Sequence, residues 1–127
     1  MKRTVKTTIK GFQTIDGAGV KLVRVLGNQT IKEFDPILML DSFDSVNPAD
    51  YTAGFPMHPH RGIETISYVS RGKMVHKDSL GNEEAVTDGE VQWMNSGSGI
   101  FARRISAGIR TLIGRSTLAQ LTAKKIR

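Results

Sequence analysis

Cysteine is absent from this sequence of 127 residues, which excludes disulfide scaffolds, thiolate zinc sites, iron–sulfur clusters and cysteine nucleophiles. No apolar run approaches the ~20 residues that a membrane-spanning helix needs. The N-terminus also lacks the apolar stretch of a secretory signal. We therefore expect one globular cytoplasmic domain that has no membrane partner. Any metal site in it must use histidine, carboxylate or water ligands.

Acidic residues are absent from the last fifth of the chain. Residues 101–127 carry seven arginines and lysines, so this tail contributes +7 to a net charge of +6, and residues 1–100 carry −1. Such an asymmetry indicates either an interaction tail or a segment of different origin. Nucleic acid is an unexpected partner, because no aromatic interleaving or recognised nucleic-acid-binding motif accompanies the basic residues.

Helical periodicity is missing from the first 94 residues, where short runs rich in valine, isoleucine and threonine alternate with glycine, asparagine and aspartate turns. This pattern is typical of antiparallel strands in a sandwich or barrel. Residues 42–61 contain three prolines and are interpreted as a loop that runs into a short, proline-interrupted strand. The other predicted strands are Thr4–Lys10, Val20–Leu26, Ile37–Asp41, Ile63–Ser70, Lys73–Lys77, Glu84–Thr87 and Glu90–Met94.

The pattern changes after Gly99. Apolar residues recur at helical spacing, and the segment Leu118–Ile126 is also more typical of a helix than of a strand. One interpretation is a terminal helix that packs on the sheet; another is a basic amphipathic tail that binds phosphates or a membrane surface. The helical stripe consists of Ile105, Ile109, Leu112 and Ile113.

A histidine pair stands in the segment GFPMHPHRG, residues 54–62. Side chains alternate along an extended segment, so His58 and His60 should share one face and could bind one metal ion. Two histidines that only form hydrogen bonds are the alternative. Glu64 shares their parity if the strand continues through Gly62, which makes it a candidate third ligand or an acceptor behind the ligands. His76, in the next strand, is either a residue that flanks a turn or a further ligand.

Four segments resemble the pirin family of the cupin superfamily in their order and spacing. The resemblance covers about residues 5–100 and implies a cupin-type β-barrel, the first of two such domains. It also implies an iron ion, Fe(II), held by three histidines and one carboxylate, and an oxidoreductase similar to quercetin 2,3-dioxygenase that acts on a flavonol with dioxygen. The segments are DGAGVKLVRVLG, FDPILMLDSF, GFPMHPHRGIETISYVSRGKMVHKDSLGN and DGEVQWMNSGSGI.

Only two of the four ligands that the resemblance implies have counterparts here, at His58 and His60. Ala102 stands in the place of the third histidine and Arg104 in the place of the carboxylate. An arginine there puts a fixed cation near a divalent ion. We therefore expect weak or absent occupancy by Fe(II) or another divalent metal, and an inactive chain. The alternatives are a non-catalytic metal-binding or protein-interaction domain, or a truncated product without a selected function.

The resemblance ends near Ile100, where the composition changes. The codons TTT GCA CGC AGA ATC can encode Phe101–Ile105, and loss of one T from them gives Leu-His-Ala-Glu, which restores a histidine and a carboxylate. We interpret residues 101–127 as a basic tail of helical or disordered structure that arose by a frameshift or by natural truncation. The mainly β, cupin-type domain at residues 1–100 should then be incomplete, with an open sheet edge through which a homodimer could form.

Overall fold

The computed structural model describes residues 2–116, with side chains through Ser106. Within these residues the chain forms one connected, antiparallel, eight-stranded sheet, together with a single turn of α-helix and a 3₁₀ turn at Pro48–Asp50. The elements are β1 Phe12–Asp16, β2 Val20–Leu26, α1 Ile31–Phe34, β3 Ile37–Ser45, β4 Phe55–His60, β5 Glu64–Asp78, β6 Glu83–Val86, β7 Val91–Asn95 and β8 Ile100–Ser116.

Strands β5 and β8 form the centre of the sheet and pair with each other from Glu64 opposite Ser116 to Asp78 opposite Ala102. The first part of β8 also pairs with β4, and its later part pairs with β3. Strands β2 and β1 continue the sheet from β3, while β7 and β6 pair with the two ends of β5. Strands β4, β8 and β5 therefore lie side by side where the candidate ligands are found.

The apolar interior contains two clusters. The larger one includes Phe43 and the partly buried Phe55, whose rings meet edge to face with their centroids 5.6 Å apart. In the smaller cluster, Met94 of β7 packs with Ile100 and Ala102 of β8. Because β7 and β8 are not paired in the sheet, this packing shows that the β5–β7 wall faces the β4–β8 wall. The larger cluster consists of Val20, Leu22, Phe43, Val69, Met74 and Val86.

Gly54 holds the start of β4 close to β8. Its φ is +66°, and a Cβ atom at this position would lie 2.6 Å from the carbonyl oxygen of Arg104. Only glycine accommodates both the left-handed conformation and this close approach. The contact keeps the histidine-bearing strand against β8.

Most of the predicted strands are confirmed, and Val20–Leu26 has the predicted bounds. The proline-interrupted strand is β4, whose register shifts between Phe55 and His58. The two strands predicted around the Arg71–Gly72 turn form one continuous strand, β5, in which the register shifts between Val69 and Lys73. The remaining matches are Ile37–Asp41 with β3, Glu84–Thr87 with β6 and Glu90–Met94 with β7.

The strand predicted at Thr4–Lys10 is wrong, because residues 2–11 form no strand. Val5 is 84% exposed, and an alternating pattern gives a strand only where a neighbouring strand satisfies the backbone groups. The first strand begins instead at Phe12, and glycines with positive φ at positions 17 and 19 turn the chain into β2.

The helix predicted after Gly99 is also wrong over residues 100–116, which form β8. Three neighbouring strands supply ladder partners for this segment, and its isoleucines and threonine suit a pleated sheet. The isoleucine and leucine spacing coincides with a helical period but does not set the structure. The segment Leu118–Ile126 lies outside the described residues.

Because β8 pairs with β3, β4 and β5, the open edge expected from a missing strand does not occur along Ile100–Ser116. The strands next to this segment are paired with it, and the incomplete domain and the homodimer stay predictions. Within residues 2–116, no helix has the length and apolar character needed to cross a membrane.

Candidate functional site

His58 and His60 extend from one face of β4. Their ring centroids are 4.5 Å apart and the ring planes meet at 56°. His60 is buried with 3% exposure, whereas His58 is half-buried. The side-by-side arrangement predicted from strand alternation is confirmed.

The backbone of β4 selects the tautomer of His58. Its Nδ1 atom lies 2.7 Å from the carbonyl oxygen of Pro56. Since a carbonyl oxygen only accepts, Nδ1 must carry the proton, and Nε2 keeps its lone pair. This is the form in which an imidazole binds a metal ion, with its second nitrogen oriented by the protein.

Ala102 and Arg104 lie beside the histidine pair on the inward face of β8. Ala102 is opposite His58 in β4, and Arg104 is opposite His76 in β5. Ala102 is 1% exposed and Arg104 is 3% exposed. The wall next to the two imidazoles thus contains one side chain without a donor atom and one fixed positive charge.

Arg104 affects the protonation of His76. Burial lowers the pKa of the His76 imidazole, and the charge of Arg104 lowers it further, which outweighs the opposite effect of Asp78. His76 is therefore neutral at pH 7. Its Nε2 atom lies 3.5 Å from Oδ2 of Asp78, and its buried Nδ1 atom has no hydrogen-bond partner among residues 2–116.

Asp78 ends β5 and fixes the turn into β6. Its Oδ1 accepts hydrogen bonds from the backbone amides of Leu80 (2.9 Å) and Asn82 (3.1 Å), and its Oδ2 accepts one from Asn82 Nδ2 at 2.8 Å. Burial by itself raises the pKa of Asp78, but the hydrogen bonds from Asn82, Leu80 and His76 together outweigh it and hold the pKa below its ordinary value. Sequence reasoning missed this role, although the stretch Asp-Ser-Leu-Gly-Asn at residues 78–82 is a typical turn signal.

Replacing Asp78 with alanine should reduce the free energy of unfolding by about 2 kcal/mol, because three hydrogen bonds of the turn lose their buried, charged acceptor. Because the folded pKa is depressed, the carboxylate stabilises the fold above its unfolded pKa, and this stabilisation is lost as the pH falls through the lower folded pKa. Urea unfolding at pH 7 and at decreasing pH measures both effects. The matched variant Asp88→Ala removes an exposed carboxylate whose Oδ1 accepts from Gly72 N at 2.6 Å. An equal loss in both variants would contradict the prediction.

Glu64 lies at the start of β5, where the chain has turned. Strand β4 ends at His60, and Gly62 has a φ of +63°, so the uninterrupted strand assumed in placing Glu64 on the face of His60 is not formed. Glu64 is 6% exposed, and its Oε1 atom accepts a hydrogen bond from Asn95 Nδ2 at 3.1 Å.

A complete metal-binding set is not assembled in the part of the chain that the structure describes. No group of three histidine, cysteine, aspartate or glutamate side chains is placed so that it could hold a metal ion there. Neither Glu64 nor His76 completes a set of three ligands with the histidine pair on β4. The roles of His58, His60, Glu64 and His76 as ligands stay predictions.

The opposite wall of the interior carries a row of neutral polar side chains. Thr65 and Ser67 of β5 are fully buried, and Gln92 of β7, opposite Ser67, is 9% exposed. Among the described residues, Thr65 Oγ1, Ser67 Oγ and Gln92 Oε1 have no hydrogen-bond partner. Gln92 is buried and the next residue of β7, Trp93, is less buried, as alternation along a strand requires. Alternation also predicts Thr65 and Ser67 on one face, but the sequence gives no sign that they lack partners.

A family model described as Pirin matches residues 19–117. The chain belongs to the pirin family. The match continues beyond Ile100, where the sequence motifs end, and includes all of β8. The frameshift interpretation of the tail stays a prediction.

Individual proteins show the same relationship. A Pseudomonas aeruginosa protein provisionally named quercetin 2,3-dioxygenase is 54% identical over 91 residues, which are 72% of this chain and 32% of that protein. A crystal structure of quercetin 2,3-dioxygenase from Acinetobacter baumannii has a TM-score of 0.75 at 24% identity, over 87% of this chain and 40% of that one. A cupin structure from Shewanella frigidimarina has a TM-score of 0.58 at 18% identity, over 94% of this chain and 97% of that one. The mainly β, cupin-type fold is confirmed. The matched residues span about a third of the length of the Pseudomonas aeruginosa relative.

The four-ligand metal centre implied by the pirin family does not fit the side chains present here. Two imidazoles are in place, but Ala102 offers no donor and Arg104 brings a charge that repels a divalent cation. A buried charge acts more strongly than an exposed one, since water screens it less.

Proposed function

We propose that this pirin-family chain is a cupin domain without metal-dependent dioxygenase activity. The observation that carries the proposal is the burial on β8 of Ala102, which is opposite His58, and of Arg104, which is two residues further along the strand. In a reaction that begins by removing a proton from a flavonol hydroxyl, a carboxylate is a competent base at neutral pH. Arginine stays protonated and cannot serve as that base.

The histidine pair supports a residual capacity to bind metal. His58 and His60 provide two neutral nitrogen donors, and water must supply the other positions around Fe(II) or another divalent ion. Half of a ligand set should bind more weakly than a complete one, and Arg104 weakens it further. We therefore propose weak, non-catalytic metal binding in a cytoplasmic protein.

The alternative is a dioxygenase that resembles quercetin 2,3-dioxygenase and acts on a flavonol. The names of the relatives and the geometry of the two imidazoles support it. The matched residues span about a third of the Pseudomonas aeruginosa relative, so its activity is transferred here only as this alternative.

Calorimetric titration of the purified chain with Ni(II) and, without oxygen, with Fe(II) tests the proposal. The expected dissociation constant is weaker than about 1 μM, which corresponds to about −8 kcal/mol. Oxygen consumption with quercetin and added Fe(II) should equal that of the His58→Ala/His60→Ala variant. Binding tighter than micromolar, or oxygen uptake that depends on the two histidines, would favour the dioxygenase alternative.

A further inference from the structure

We propose that the interior of the barrel binds a small hydroxylated carboxylate without a metal ion. Arg104 would hold the carboxylate, and the row formed by Thr65, Ser67 and Gln92 would hold the hydroxyl groups. This inference rests on the proposed function in one respect, since both assume that the interior of the barrel holds no tightly bound metal ion.

Arg104 supplies the charge and the geometry for a carboxylate. Its guanidinium is a planar fork that matches the two oxygens of a carboxylate. With 3% exposure it lies inside the barrel, where its field is poorly screened. The neighbouring Arg103 is exposed on the outer face of the same strand. Of the two arginines whose side chains the structure describes in this segment, Arg104 therefore carries the inward charge.

The polar row requires partners of a particular kind. Buried hydroxyl and amide groups are costly to leave without hydrogen bonds, so most in native proteins have them. The hydroxyls of Thr65 and Ser67 can donate and accept, whereas Gln92 Oε1 only accepts. An alcohol hydroxyl satisfies both requirements, because it donates and accepts at the same atom. Alternate residues of a strand lie about 7 Å apart, so a ligand with several hydroxyls on a short carbon chain fits the row.

The packing of the two walls brings the charge and the row to one interior. Met94 lies opposite Thr65 in the β5–β7 pair and packs against Ala102 of β8. Arg104 is the next inward residue of β8 after Ala102. His76, opposite Arg104, adds a buried Nδ1 atom that has no hydrogen-bond partner among the described residues.

Three ligands of similar length separate the two requirements. Gluconate has a carboxylate and hydroxyls, sorbitol has hydroxyls without the charge, and hexanoate has the charge without hydroxyls. Calorimetric titration in excess EDTA should detect binding of gluconate to the full chain, and sorbitol and hexanoate should each bind at least about tenfold more weakly. EDTA removes divalent metal, so any binding observed there is independent of it.

Variants then assign the contacts. Arg104→Gln should weaken gluconate binding at least about tenfold, and the matched variant Arg103→Gln should leave it unchanged. Ser67→Ala should weaken it several-fold while keeping or raising the melting temperature, because it removes a buried hydroxyl that has no hydrogen-bond partner among the described residues. Ser67→Ala keeps the test decisive if Arg104→Gln does not fold.

Several results would overturn the inference. If gluconate does not bind, with or without EDTA, the inference is wrong. The metal titration still tests the proposed function, because it does not depend on gluconate. Gluconate binding that requires Ni(II) would contradict the metal-free inference and leave the proposed lack of dioxygenase activity untouched. Equal loss of affinity in Arg103→Gln and Arg104→Gln would show a surface charge effect. A crystal structure grown in gluconate in which only water contacts Ser67 and Gln92 would show that the row needs no ligand.

Discussion

A chain that carries Ala102→His and Arg104→Glu together is expected to bind Ni(II) about 100-fold more tightly than the parent, a difference of about 2.8 kcal/mol. The physical reason is that Ala102 lies directly opposite His58, so an imidazole there would join the existing pair. A glutamate at position 104 replaces a repelling charge with an attracting ligand on the same face. Calorimetric titration of parent and double variant under identical conditions gives the ratio.

Strand alternation provides a matched control for this experiment. Phe101→His together with Arg103→Glu introduces the same two side chains one residue earlier, where β8 faces outward. This outward variant should bind Ni(II) like the parent. An equal increase in both double variants would mean that added histidine and lost positive charge act without regard to the pocket, and the inward geometry would then be irrelevant.

The single variants separate the two contributions. Ala102→His alone adds a ligand while the cation stays, and Arg104→Gln alone removes the cation without adding an anionic ligand. If Arg104 is the main obstacle to metal binding, Arg104→Gln should tighten Ni(II) binding by itself. If the missing donor dominates, the gain should come with Ala102→His. The double variant should exceed either one, because both deficits lie at one site.

The fold and the histidine pair were within reach of sequence reasoning, because both depend on local alternation. His58 and His60 are two residues apart on an extended segment, so any strand places them on one face. The structure of residues 100–116 was not accessible in that way. Isoleucines at helical spacing suit either secondary structure, and the ladder with β3, β4 and β5 decides between them. That ladder joins residues far apart in the chain, which a local pattern does not report.

The remaining features of the site depend on distant contacts as well. The polar row requires that the β5–β7 wall face β8, which follows from the packing of Met94 with Ala102. The position of Glu64 depends on the turn at Gly62. An HPHRG segment alone does not indicate whether the strand continues through its glycine.

Replacing Arg24 with methionine is expected to reduce the free energy of unfolding by about 3 kcal/mol, because it leaves a buried carboxylate without its partner. Arg24 Nε and Nη2 donate to the two oxygens of Asp41 at 2.9 Å each, and Nη2 also donates to Asp16 at 2.7 Å. Hydrogen bonding to Asp41 raises the pKa of the Arg24 guanidinium above its ordinary value. These hydrogen bonds connect β1, β2 and β3. Urea unfolding of the parent and of Arg24→Met measures the change in the free energy of unfolding.

The source of this loss can be tested on the same strand. Lys21 forms an ion pair with Asp50 at 2.8 Å, but its side chain is 65% exposed, so Lys21→Met should change the free energy of unfolding by less than about 1 kcal/mol. The variant Arg24→Met/Asp41→Leu removes the arginine together with its buried partner and should recover at least about half of the loss, since the Asp16 carboxylate that remains is 44% exposed. If the double variant is as unstable as Arg24→Met, the effect comes from lost packing of the arginine stem rather than from the stranded charge of Asp41. Equal losses in Lys21→Met and Arg24→Met would instead mean that burial of the pair has no influence.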